Sequence, residues 1–134
     1  MSTRQGIIAL LAACIAAIAA VAVASAASPK PRGHYTATTR NSIRISLRVS
    51  PRAKTIRAAV TCRGAHFPVN SDWMTIRNGH FVGAVHPRGA PPSVGPEYAI
   101  SGRFRSRSKI TGLLYNDAVC NSSQKRYTAH LAAR

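Results

Sequence analysis

Apolar and polar residues alternate with a period of two along most of the chain beyond residue 42. Over residues 43–50, Ile43, Ile45, Leu47 and Val49 fall on one side and Arg44, Ser46, Arg48 and Ser50 on the other, which predicts a half-buried strand. Pro51-Arg52-Ala53-Lys54 reads as a turn. After it Ile56, Ala58, Val60 and Cys62 oppose Arg57, Ala59, Thr61 and Arg63, so the two runs predict a hairpin with one apolar face. Residues 64–73, with Pro68, Asn70 and Asp72, read as a loop. Met74-Thr75-Ile76-Arg77 and His80-Phe81-Val82 flank Asn78-Gly79, a pair that accepts the positive φ angles of a type I′ turn, so two short strands are expected there.

Residues 85–96 hold four prolines with Gly89 and Gly95, which excludes regular structure. Alternation resumes with Tyr98, Ile100, Gly102 and Phe104 against Ala99, Ser101, Arg103 and Arg105. A turn over residues 106–109 leads into Ile110-Thr111-Gly112-Leu113-Leu114-Tyr115, a second predicted hairpin. Asn116-Asp117 ends it, and after Asn121-Ser122-Ser123 the chain closes on a strand containing Arg126-Tyr127-Thr128-Ala129-His130-Leu131. Seven or eight strands follow, with no apolar period of 3.6 in this part of the chain. The predicted class is all-β, an antiparallel sandwich or small barrel.

The first 26 residues break this pattern. Arg4 precedes an uncharged stretch of Ile, Leu, Val and Ala, and Ala24 and Ala26 flank Ser25 in the small-residue arrangement that a signal peptidase accepts. Residues 1–26 are therefore expected to be a signal peptide helix cleaved after Ala26, residues 27–33 a Pro-rich linker, and residues 34–134 one secreted β domain. A retained membrane helix is the rival reading, weakened by the alanine content. Leu11-Ala12-Ala13-Cys14 resembles a lipobox, but the apolar run continues well past Cys14. After cleavage the domain keeps Cys62 and Cys120, and an oxidising compartment predicts a disulfide between them.

Charge changes the functional picture more than length does. The 134 residues carry 19 Lys or Arg against 3 Asp or Glu, a formal net charge of +16. With only Asp72, Glu97 and Asp117 as acids, paired-carboxylate catalysis and carboxylate metal cages lack material. No Gly-x-Ser-x-Gly elbow nominates a nucleophile. His34, His66, His80, His86 and His130 show no ligand spacing, so neither metal nor cofactor is expected and the domain reads as non-catalytic.

The alternation places Arg44, Arg48, Arg57 and Arg63 on the outer face of the first hairpin, with Arg103, Arg105 and Arg107 on the second. Guanidinium groups bind phosphate or carboxylate in bidentate fashion, so these seven predict docking to a polyanion: a cell-wall polymer, anionic lipid headgroups or extracellular nucleic acid. The bland alternative is composition, since 15 of the basic residues are Arg and a codon bias generates such a face without a ligand. A second functional reading is a protein-interaction or inhibitor module using the Pro-rich loop 85–96, with Phe67, Trp73 and Tyr98 as stacking surface.

The fragments Gly33-His34-Tyr35-Thr36, Gly79-His80-Phe81, Ile100-Ser101-Gly102-Arg103-Phe104, Thr111-Gly112-Leu113 and Tyr127-Thr128-Ala129, taken with the strands 43–49 and 56–62 and with Cys120, resemble a group of small secreted actinobacterial proteins of unknown function, built as one β domain with two cysteines. The resemblance implies fold, export and a disulfide. It carries no catalytic or binding residue across.

Overall fold

The computed structural model describes residues 27–65, 67–86, 89, 91, 93, 95–115, 120 and 123–133, and the predicted signal peptide lies outside them. Nine strands are present: β1 His34–Thr38, β2 Arg44–Val49, β3 Thr55–Thr61, β4 Val69–Asn70, β5 Met74–Thr75, β6 His80–Val85, β7 Tyr98–Ser106, β8 Lys109–Tyr115 and β9 Lys125–Leu131. All pairings are antiparallel, and they join one sheet in the order β4-β3-β2-β1-β9-β8-β7-β6, with β5 also on the free side of β3. The sheet curls into a nearly closed barrel whose seam runs between β4 and β5 on one side and β6 on the other. The all-β, antiparallel expectation holds, in its barrel form.

Two-residue periodicity decides what fills the interior. Tyr35, Ile45, Leu47, Ile56, Ala58, Val60, Tyr98, Ile100, Phe104, Ile110, Leu114 and Ala129 are buried, while their chain neighbours Arg44, Arg48, Arg57, Arg103, Arg105 and His130 are exposed. Phe104 takes edge-on contacts from Tyr35 and Phe81, with ring centroids 5.6 and 6.4 Å away, a geometry favoured by the ring quadrupoles.

Three inward tyrosines then need acceptors, because a phenol hydroxyl left unpaired in an apolar interior costs about 1–3 kcal/mol. Each donates to a backbone carbonyl: Tyr35 to Arg107 at 2.6 Å, Tyr98 to Val69 at 2.9 Å and Tyr127 to Ser101 at 2.8 Å. The Tyr98 bond runs from β7 to β4 and so spans the seam. Met74 of β5 packs its side chain over Gly83 of β6, where an added Cβ would lie 2.7 Å from Met74 Cγ, so the seam is also closed by side-chain packing.

Two features depart from the sequence reading. Residues 64–73 are not all loop, because Val69–Asn70 pairs with β3. The interruption between β4 and β5 is healed by Ser71, whose buried Oγ accepts from Ala58 N at 2.8 Å in place of a ladder carbonyl. The Asn78-Gly79 turn forms as expected, with φ of 49° and 71° and a reciprocal pair of bonds between Arg77 and His80. Its two arms separate at once, however: Met74–Thr75 pairs with β3, and β6 runs on to Val85 against β7.

The Cys62–Cys120 disulfide is formed, with Cα atoms 5.3 Å apart, and it ties the end of β3 to the β8–β9 connection across 58 residues. Replacing both cysteines by Ala is expected to lower unfolding free energy by about 4 kcal/mol in the chain-entropy account, measured by urea denaturation. A second expectation concerns the glycines facing one another on β7 and β8. A Cβ on Gly102 would meet the Phe81 ring and Tyr127 Oη, whereas one on Gly112 would meet Tyr127 Oη and the Ser101 carbonyl. Gly102→Ala should cost about 1–3 kcal/mol and Gly112→Ala more, because a ladder carbonyl yields less readily than a ring.

Candidate functional site: an arginine-lined cleft on the outer face

The seven arginines named from the sequence lie on two walls of the barrel. Arg44 and Arg48 are exposed on β2, and Arg48 sits directly across from Arg57 on β3. Arg57 turns toward the seam, where its Nε donates to the Ser71 carbonyl at 2.9 Å. Arg63 is exposed in the turn after β3. Arg103 and Arg105 project from β7, and Arg107 occupies the β7–β8 turn. Strands β1, β9 and β8 separate the two walls, so the predicted residues do not make one continuous face.

The β7 wall gathers more than the sequence suggested. A cleft of about 1000 Å³ lies across the outer face of β6, β7, β8 and β9, with Arg77, Arg103, Arg105 and Arg126 around it and His80 at its β6 side. Among the described residues, no acid lines it. Its floor is made of small outward residues, Ser101, Thr111 and Thr128, with Val82 and Leu113 as apolar members. The ladder sets this grid: Arg103 stands opposite both His80 and Thr111, Thr111 opposite Thr128, and Leu113 opposite both Ser101 and Arg126.

Two local irregularities shape the cleft. Gly102 and Gly112 are a cross-strand, inward-facing pair that belongs to the cleft lining, with the Phe81 ring and the Tyr127 hydroxyl standing where their side chains would be. At the end of β7 the register shifts between Phe104 and Ser106, which makes Arg105 the extra residue of a β-bulge. Bulges re-aim side chains. Arg105 Nε donates to Thr111 Oγ1 at 2.7 Å, and this bond holds the guanidinium over the cleft.

Arg77 and Arg126 were absent from the sequence-based set. Arg126 belongs to a strand 13 residues beyond Leu113, the residue opposite it, and only the β8–β9 register brings it to the site. Arg77 precedes the Asn-Gly turn, and that turn does signal that Arg77 is the partner of His80.

The two acids among the described residues lie elsewhere. Asp72 and Glu97 line a smaller hollow of about 500 Å³ at the seam, together with Arg57 and His86. The Pro-rich loop 85–96 leaves from this region, its base closed by Glu97 N donating to Val85 O at 2.6 Å. Among its residues, 87, 88, 90, 92 and 94 lie outside the described ones. Of the aromatics considered for stacking, Tyr98 is fully buried and belongs to the core, while Phe67 and Trp73 are exposed. His66 lies outside the described residues; His80, His86 and His130 are exposed.

Comparison of the chain with protein-family models, with curated proteins and with solved structures finds no match.

The titration of His34 is perturbed. It sits on β1 opposite Arg48, its Nε2 lies 2.7 Å from Ser46 Oγ, and burial, followed by the Arg48 charge, holds its pKa below the usual 6.5. The unfolded chain therefore takes up this proton more readily than the folded one, so the contribution is complete above pH 6.5 and is lost as pH falls below it. The His34 ring resonances should titrate with a midpoint under 6.5, and His34→Gln should remove part of the fall in melting temperature on acidification.

Proposed function

We propose that this protein is a secreted, non-catalytic domain that binds polyanions through the cleft bounded by Arg77, Arg103, Arg105 and Arg126. The observation that carries this reading is the convergence of four guanidinium groups on one hollow, with no acid among the described residues that line it. Like charges brought together raise the local potential, and a counter-ion that pairs with several of them at once relieves that repulsion. Arginine suits the task because its planar fork meets phosphate or carboxylate oxygens in pairs. Export fits the same picture: the leader read from the sequence directs the chain out of the cytoplasm, and the Cys62–Cys120 disulfide suits an oxidising compartment.

The reading is tested against composition by two charge-matched variants. With inorganic polyphosphate as the probe, four neutralised contacts give a log–log salt slope of roughly −3, a loss of about fiftyfold between 50 and 200 mM salt. Arg103→Ala with Arg126→Ala should halve the slope and weaken binding tenfold or more. Arg44→Ala with Arg48→Ala removes the same charge from the other wall and should change binding little. Equal effects of the two pairs, or affinity independent of salt, would show that the positive charge is compositional.

A further inference from the structure

Building on the polyanion reading, we infer that the occupant of the cleft is a polyol-phosphate chain, an alternation of phosphodiesters and hydroxyl-bearing carbons, and not a nucleic acid. The grounds are what the floor offers and what it withholds. Proteins that hold single-stranded nucleic acid stack its bases on exposed aromatic rings. Among the described residues lining the cleft, Phe81 and Tyr127 are 3% and 5% exposed, their rings on the inner side of the sheet, and the exposed ring is the His80 imidazole at the β6 side. The exposed rings of Phe67 and Trp73 are not among the cleft residues. A strand of bases would meet that single imidazole at the edge and no row of rings on which successive bases could stack.

What the floor supplies is hydroxyl groups set between cations. Ser101, Thr111 and Thr128 present outward hydroxyls on three successive strands, and Thr75 adds a fourth at the edge. Adjacent strands lie about 4.8 Å apart and same-face neighbours on a strand about 7 Å apart, so hydroxyl and guanidinium positions stand beside one another across the cleft at the reach of about four to six bonds of an extended chain. Val82 and Leu113 give aliphatic contact for CH and CH₂ groups between the polar ones. Guanidinium groups take the phosphates, Ser and Thr hydroxyls take the polyol oxygens, and the aliphatic pair covers the carbons. A polymer with charge alone would leave the hydroxyl floor unused.

Titration calorimetry at fixed salt, with the disulfide-bonded protein and three probes of matched charge, separates the cases. The probes are an oligo(glycerol phosphate), oligo(dT) and oligoglutamate. The expected result is that the polyol phosphate binds roughly fivefold or more tightly than either other probe. Thr128→Val with Ser101→Ala, which keeps the strand-forming shape and leaves the Arg105–Thr111 bond in place, should erase that preference while retaining the salt slope. Equal affinity for all three probes, or tighter binding of oligo(dT), would overturn the polyol inference and leave polyanion binding standing. Absence of binding by all three would overturn both.

Discussion

Everything distinctive about this barrel depends on the hydroxyl of Tyr127 reaching across β8 to the carbonyl of Ser101 on β7. A ring can take that path only where the intervening strand has no side chain, and Gly112 supplies the gap. The neighbouring Gly102 makes room for Phe81 in the same way. Burial pushes the Tyr127 hydroxyl well above the usual phenol range, so it remains a neutral donor across physiological pH and the bond persists. Gly102 and Gly112, which admit this aromatic mass on the inside, also belong to the cleft lining, so core packing and cleft share the same two positions.

The charge distribution imposes a second constraint. A chain with 19 basic and 3 acidic residues repels itself, and its folded state must withstand that repulsion with few internal ion pairs to offset it. The fold answers by sending every strand arginine outward, Arg44, Arg48 and Arg57 from β2 and β3 and Arg103, Arg105 and Arg126 from β7 and β9. Arg57 and Arg105 are further restrained by hydrogen bonds to Ser71 O and Thr111 Oγ1. The Cys62–Cys120 bridge, which limits how far the denatured chain expands, acts on the same balance from the other side. Around the cleft four guanidinium groups, those of Arg77, Arg103, Arg105 and Arg126, share one space.

Local patterning made much of this legible. The alternation of Ile43, Ile45, Leu47 and Val49 with Arg44, Ser46 and Arg48 is enough to assign both a strand and its buried face, because side-chain direction follows from backbone geometry alone. The Asn78-Gly79 turn was legible for a similar reason, since few dipeptides tolerate two positive φ angles. What could not be read was anything that depends on which strands become neighbours. The split of residues 69–75 into two edge segments rests on Ser71 finding Ala58, and the pairing of Met74 with Gly83 rests on the seam. Neither has a local signature. The bulge that isolates Arg105 is equally silent, because the sequence continues to alternate through it.

The same distinction explains why arginines grouped by hairpin are the wrong unit for this site. Two strands joined by a turn share a face by construction, so a sequence reading collects Arg103, Arg105 and Arg107 and stops at the turn. The cleft is assembled across a ladder of four strands, and its members enter by register: Arg126 through Leu113, Thr128 through Thr111, and Arg77 through His80. Arg107 shows the converse, for its carbonyl is the acceptor of Tyr35 at the barrel end, and its side chain is not among those around the cleft. Of the second hairpin's three arginines the cleft therefore takes two, and it adds two from elsewhere in the chain. A hollow on a curled sheet runs across the strands, and it becomes visible only when the order and register of those strands are known.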